Sequence, residues 1–293
     1  MSIWTKLLSF SLASFFKLMP LRVRWAFGAF LGWLWFDVLK LRRWTIMKNL
    51  SRAFPNMPKE EKYSTARLSM KFLCYNFAEI CLMPFMDQKY MEKNCEFHGL
   101  ENYEKAKAQG KGLLLMSLHM GNGDVGTNFL TLKGLKVHVI SKKFKVKFLN
   151  DFWFGVRESK GAKFINPHGR STPFDILKAV KAQESVVFVI DQFMGRPYGI
   201  PTTFFGKKTG TAYGLALFAI KTGSPVLPVY TYRDKNLKTH VVFEPEIKVV
   251  AEGEDRDLQI SRTTQVYNNK VEEIVRRHPE QWMWVHRRWK AIN

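Results

Sequence analysis

The amino-acid sequence predicts an α/β protein with a mostly parallel central sheet flanked by helices, behind a hydrophobic N-terminal helical segment. Three observations carry this. From residue 95 onward, short apolar runs alternate with amphipathic segments of helical length. Most of those segments end at glycine. The first 44 residues differ from the rest, with two apolar blocks edged by basic side chains. Strands that alternate with helices pair in parallel, because each helix carries the chain back to the edge where it started. The sequence therefore divides into an anchoring region, 1–44, and one catalytic-size domain, 45–293.

In the anchoring region, residues 7–16 form an apolar block between Lys6 and Lys17. Residues 25–36 form a second block between Arg24 and Asp37, with Lys40, Arg42 and Arg43 beyond it. Neither reaches the ~20 apolar residues of a straightforward spanning helix. No small-residue cleavage site follows the first block, which argues against a cleaved leader. Trp25, Trp33, Trp35 and Trp44 suit the headgroup layer, and the flanking cations suit anionic lipid. The expectation is a membrane anchor, monotopic or a short tilted span, with the basic bulk cytoplasmic. A buried helical hairpin of a soluble domain is the alternative.

Residues 58–83 have helical spacing, opened by Pro58 and closed by Pro84. The apolar runs 112–118, 136–141, 162–166, 185–190, 224–232 and 240–247 read as strands. The segments 123–134, 148–161, 172–184 and 211–223 between them read as helices, and 255–278 as a last one.

Charge narrows the partners. Lys plus Arg is 46 and Asp plus Glu is 25, a net of +21. Such a field draws anions: nucleic acid, acidic lipid or an acidic protein. The basic residues are scattered and no nucleic-acid motif is present, so nucleic acid is not the expected partner. Cys74, Cys81 and Cys95 are an odd set without paired spacing, which argues against a disulfide framework and against zinc.

The stretch SLHMGNGDVG, 117–126, places His119 directly after an apolar run, at the strand edge where ligands of open α/β sheets sit. Asp124 falls in the first turn of the next helix. With Gly121 and Gly123 letting the chain fold back, Asp124 can accept a hydrogen bond from one imidazole nitrogen and leave the other free as a base. A glycine-rich turn with a capping aspartate is the plainer alternative. Asp191 and Gln192 follow the run 185–190 at the same edge, and an aspartate there needs a partner. Arg157 is a candidate for that partner, or for a phosphate, or for a solvated helix face. The segment 200–211, IPTTFFGKKTGT, reads as the lining of an acyl-chain groove or as a hairpin. The segment 278–290, HPEQWMWVHRRWK, reads as interface-binding or as a docking helix.

Five segments in order along the chain resemble one family, the bacterial lipid A late acyltransferases, within the lysophospholipid acyltransferase-like superfamily. They are MKNLSRAFPNMPKEE, EFHGLENYEKAKAQGKGLLLMSLHMGNGD, DQFMGRPYGIPTTFFGKKTGT, LALFAIKTGSPVLPV and PEQWMWVHRRWK. The resemblance implies a glycerolipid acyltransferase-like fold and a His-x4-Asp/Glu motif carried by His119 and Asp124, with Arg157, Asp191 and Gln192 in support. It implies an N-terminal membrane helix, an inner-membrane location with a cytoplasmic site, acyl carrier protein as donor partner, and a lipid A precursor as acceptor. No cofactor and no metal enter that chemistry. Many relatives have Trp-Glu where this chain has Gly123-Asp124, and that difference bears on pocket shape.

Overall fold

The computed structural model describes residues 3–251, 253 and 255–292. The N-terminal part is helical: α1 (Ile3–Leu18), α2 (Leu21–Trp33), α3 (Arg43–Ala53), α4 (Lys59–Leu82) and the short α5 (Gln88–Asn94). Alternation then begins with β1 (Cys95–His98), α6 (Leu100–Lys107), β2 (Leu113–Ser117), α7 (Gly123–Leu132), β3 (Val137–Ile140) and α8 (Lys147–Glu158). It continues through β4 (Lys163–Ile165), α9 (Thr172–Lys181), β5 (Ser185–Val189), β6 (Gly199–Phe204), β7 (Lys207–Ala212) and α10 (Gly214–Thr222). It closes with β8 (Val226–Arg233), β9 (Thr239–Phe243) and α11 (Arg256–Arg277).

Seven strands form one sheet in the order β1-β9-β8-β2-β5-β3-β4. The β8–β9 pair is antiparallel and the other neighbours are parallel. The expected α/β architecture is present, and each of the six apolar runs forms a strand. Side chains alternate between two cores. Leu114 and Met116 of β2 pack on one face with Val186 and Phe188 of β5, while Leu113 and Leu115 pack on the other with Val187. Helices cover both faces, so these central strands are apolar throughout rather than alternating.

β1 and the segment 278–290 differ from the sequence expectation, and 200–211 takes the hairpin alternative. The edge strand β1 reads CEFH, with one apolar residue between two polar ones, so it lacks an apolar run to announce it. The segment 200–211 is an antiparallel hairpin, β6–β7. Its Phe204 and Phe205 are buried against Trp289, and Phe204 also against Trp282, so they line no groove. Residues 278–290 form neither a docking helix nor a surface patch. After a short turn over Pro279–Gln281 they run as a strap across the strand edge, with Trp282, Trp284 and Trp289 buried.

The two N-terminal apolar blocks are helical. No helix among the described residues is long and apolar enough to cross a membrane. α2 lies along α4 at close range, and the reason is glycine. A Cβ on Gly28 would stand 2.7 Å from Tyr75 Cα, and one on Gly32 would stand 2.7 Å from Lys71 N. Trp25 is part of that contact, its ring centroid 5.1 Å from Phe72 and 5.5 Å from Tyr75, so it does not face the headgroup layer. Trp33 and Trp44 are exposed, together with Phe10, Phe15, Leu18 and Phe30.

A larger residue at Gly28 must push α2 off α4. Gly28→Val is expected to destabilise the protein by about 1–3 kcal/mol, as overpacking does. Denaturant unfolding, compared with Ala29→Val one position on, measures it.

Candidate active site

The site begins with strand register. β2 and β5 are parallel neighbours, with Ser117 level with Val189. Two residues further along each strand stand His119 and Asp191, so the sheet itself sets them side by side. The imidazole Nδ1 is 2.8 Å from Asp191 Oδ1, and the backbone N–H of His119 donates to Oδ2 at 3.0 Å. Trp282 of the strap donates its indole N–H to the same Oδ2 at 2.7 Å. The carboxylate is 1% exposed, whereas the His119 side chain is 32% exposed. One member of the pair can meet a substrate and the other cannot.

The electrostatics follow from that burial. Desolvation works against the charge on Asp191, but His119 and the N–H donors outweigh it and hold the carboxyl at about 2. Desolvation likewise opposes protonation of His119. The charge and hydrogen bond of Asp191, helped by the charge of Asp124, overcome it and raise the imidazole above its ordinary value. With Nδ1 committed to a carboxylate, the proton sits on Nδ1 and Nε2 carries the lone pair.

Asp124 is therefore not the carboxylate that His119 hydrogen-bonds, contrary to the expectation from the five-residue spacing. It forms a close ion pair with Arg157, Oδ1 to Nε 2.8 Å, on the first turn of α7. The physical reason lies at the turn. Asn122 is the N-cap and accepts from Val125 N–H, so helix begins at Gly123 and turns the Asp124 side chain toward α8. Arg157 in turn is not the partner of Asp191 and not a solvated face. It is 8% exposed, with its guanidinium carbon 4.4 Å from the Phe164 ring centroid, and burial lowers its pKa.

The turn that carries His119 is held from several sides. Gly121 has φ +56°, and a Cβ there would meet Thr231 O at 2.4 Å. Thr231 Oγ1 donates to Met120 O, Asn76 to Gly121 O, and Met283 N–H to His119 O. Asn122 also donates to Glu79, which pairs with the buried Arg233 at the end of β8. Gly123 faces open space, with nothing within 4 Å of the place a Cβ would occupy.

Gln192 bridges to a histidine that sequence reasoning did not single out. Its amide nitrogen is 2.9 Å from His286 Nε2. It is also 3.3 and 3.1 Å from the two nitrogens of His119, equidistant enough to lie over that ring rather than on either lone-pair axis. Burial, His119 and Arg42 together hold His286 down at about 4, so it is neutral and accepts. The strap that supplies His286 and Trp282 is itself anchored. Asn49 of α3 donates to the carbonyls of Trp284 and His286. Arg288, fully buried, donates to Gly210 O, Thr211 Oγ1 and Asn268 Oδ1. The sequence signal for these residues was the tryptophan and arginine density of 278–290, which said buried contact but not with what.

An imidazole tied at one nitrogen to a buried carboxylate, on a glycine-rich turn at a strand edge, can accept a proton from a bound hydroxyl or thiol. A family profile describing the bacterial lipid A biosynthesis acyltransferases matches residues 1–291. The chain belongs to this family. It is an acyltransferase of the lipid A type. A lipid A biosynthesis acyltransferase of Haemophilus influenzae is 24% identical over 247 residues, 84% of this chain and 75% of that protein. The lipid A biosynthesis lauroyltransferase of Escherichia coli K12 is 24% identical over 279 residues, 93% and 87% of the two chains. A phosphatidylinositol mannoside acyltransferase of Mycobacterium tuberculosis is 22% identical over 253 residues, 84% and 77%.

Removing the charge of Asp191 removes the main influence that raises His119. In Asp191→Asn, the imidazole pKa is expected to fall, read from the pH dependence of the His119 ring resonances by NMR. An unchanged titration would separate the two groups electrostatically.

Proposed function

We propose that this acyltransferase moves a fatty acyl chain from acyl-acyl carrier protein to a hydroxyl of a lipid A precursor, at the cytoplasmic face of the inner membrane. The observation that carries the reading is the half-open His119 on a fully buried Asp191. The Nε2 lone pair of His119 takes the proton of the acceptor hydroxyl as its oxygen attacks the thioester carbonyl. Asp191 holds the tautomer and stabilises the imidazolium that forms. The tetrahedral intermediate then collapses, the C–S bond breaks, and the thiolate of the carrier arm takes the proton from His119. The N–H groups of Gly123 and Asp124, in the first turn of α7 where helix geometry supplies no partner, are suited to the oxyanion. Asp124 and Arg157 fix that helix start, and Asp124 adds its charge to the field at His119. No metal or cofactor takes part in these steps.

Membrane association fits the exposed apolar residues of α1 and α2 with Arg22, Arg42 and Arg43 nearby. The net charge of +21 suits an acidic carrier protein and an anionic surface together. A second acceptor is favoured by one observation. Nothing lies within 4 Å of the place a Cβ on Gly123 would occupy, and a relative is named for a phosphatidylinositol mannoside, so another glycolipid hydroxyl fits the same chemistry.

With purified protein, acyl-carrier protein thioester and lipid A precursor, His119→Ala is expected to abolish transfer and Asp191→Asn to lower it about 10²–10⁴-fold. Asp124→Asn is expected to lose less; the reverse order would return the orienting role to Asp124. Mass spectrometry of the product identifies the acceptor, and transfer only to a non-lipid A glycolipid would decide for the second reading. Because the imidazole must be neutral to act, kcat/KM is expected to fall as pH drops through a midpoint above the ordinary histidine value of 6.5. Replacing Phe10, Phe15, Trp33 and Trp44 by serine is expected to weaken co-sedimentation with anionic vesicles.

A further inference from the structure

A second cluster of ligating side chains lies at the same edge of the sheet, two strands away from β2. Glu96 of β1 is level with His240 of β9, and His240 is level with Tyr232 of β8. His98 stands two residues after Glu96 and so points to the same face. One ligand atom from each of Glu96, His98 and His240 lies within 4.8 Å of the others.

We propose that Glu96, His98 and His240 form a binding site for one divalent transition-metal ion of the zinc class, separate from the catalytic pair. Two imidazoles and one carboxylate are a borderline donor set, which prefers zinc, copper or nickel over magnesium or calcium. His98 Nε2 and His240 Nδ1 already face each other at 2.8 Å. A tetrahedral zinc site with metal–nitrogen distances near 2.0 Å needs these atoms about 3.3 Å apart, with both rings turned so that their lone pairs converge.

The surroundings hold His240 in the required form. Its ring lies 4.7 Å from Tyr232 at an interplanar angle of 10°, and Tyr232 is covered on its far side by His278 at 4.1 Å. His240 is 8% exposed, and its Nε2 has no hydrogen-bond partner. That atom faces Asp234 Oδ2 at 3.6 Å. With a carboxylate on that side, a proton on Nε2 would leave the Nδ1 lone pair toward His98, the arrangement that orients metal-bound imidazoles. Glu96 Oε2 is taken by Lys238 Nζ at 3.1 Å, while Oε1 faces His98 Nε2 at 3.9 Å. His98 and Glu96 are part-exposed, so an ion can enter and water can fill the remaining positions. Bound there, the ion would tie the four-residue edge strand β1 to β9.

The test uses the full chain without a histidine tag, stripped with EDTA, desalted and titrated with ZnCl2. One zinc per chain should survive gel filtration by mass spectrometry of the metal, and Co²⁺ should give tetrahedral d–d absorption. His98→Gln and His240→Gln should abolish both signals. Glu96→Gln, at an exposed position that leaves the fold intact by circular dichroism, should weaken zinc at least about tenfold, as should Asp234→Asn. His168→Gln, at an exposed histidine in the loop after β4, should change nothing. A wild-type chain that retains no zinc overturns the proposal. So does zinc that persists in Glu96→Gln and His98→Gln, or that is lost in His286→Gln, which would put the ion at the catalytic pair.

Discussion

A carboxylate almost sealed from water has to be neutralised or paired, and the structure around Asp191 is arranged to do the second. Its two oxygens take the imidazole, the backbone N–H and the indole N–H of His119 and Trp282. Each donor arrives on a different part of the chain. β2 brings the histidine, β5 brings the aspartate, and the strap after α11 brings the indole. Neither an exposed aspartate nor one lacking these donors would hold His119 in a single tautomer.

The strap depends on remote parts of the fold. Asn49 binds its carbonyls from α3, and Arg42 and Arg52 bind further carbonyls at Val285 and Trp289. Arg288 locks it to the β6–β7 hairpin and α11, and burial lowers that guanidinium to about 10, still charged at neutral pH. A buried guanidinium loses hydration that hydrogen bonds must replace, and both terminal nitrogens of Arg288 make them. The segment around α3 thus reaches the His119–Asp191 pair through the strap. The two helices before it, α1 and α2, carry exposed apolar side chains at Phe10, Phe15, Leu18, Phe30 and Trp33.

The sheet was legible because its central strands are covered on both faces and so are written as unbroken apolar runs. The helices between them were legible from spacing and terminal glycines. β1 was not, since an edge strand with one covered position has no run to show. His119 was legible from its place after a strand. Its partner was not, because Asp191 is 72 residues away and meets it only through strand order, with β2 beside β5. Spacing along the chain pointed instead to Asp124, which is close in sequence but is drawn off to Arg157 by the helix start. The same limit hid the Glu96–His240 pairing, where residues in different strands become neighbours by register alone. Trp282 and His286 lay in a segment whose burial could be guessed and whose target could not.

The route of the strap has a consequence for how the His119–Asp191 pair is assembled during folding. The His119 imidazole lies before the middle of the chain, its carboxylate beyond it, and the indole that completes the carboxylate's shell comes later than all of the helices. A partly folded chain with its sheet already formed has the histidine and aspartate level but leaves one carboxylate oxygen without its indole. The shell around Asp191 is therefore complete only once that last segment docks.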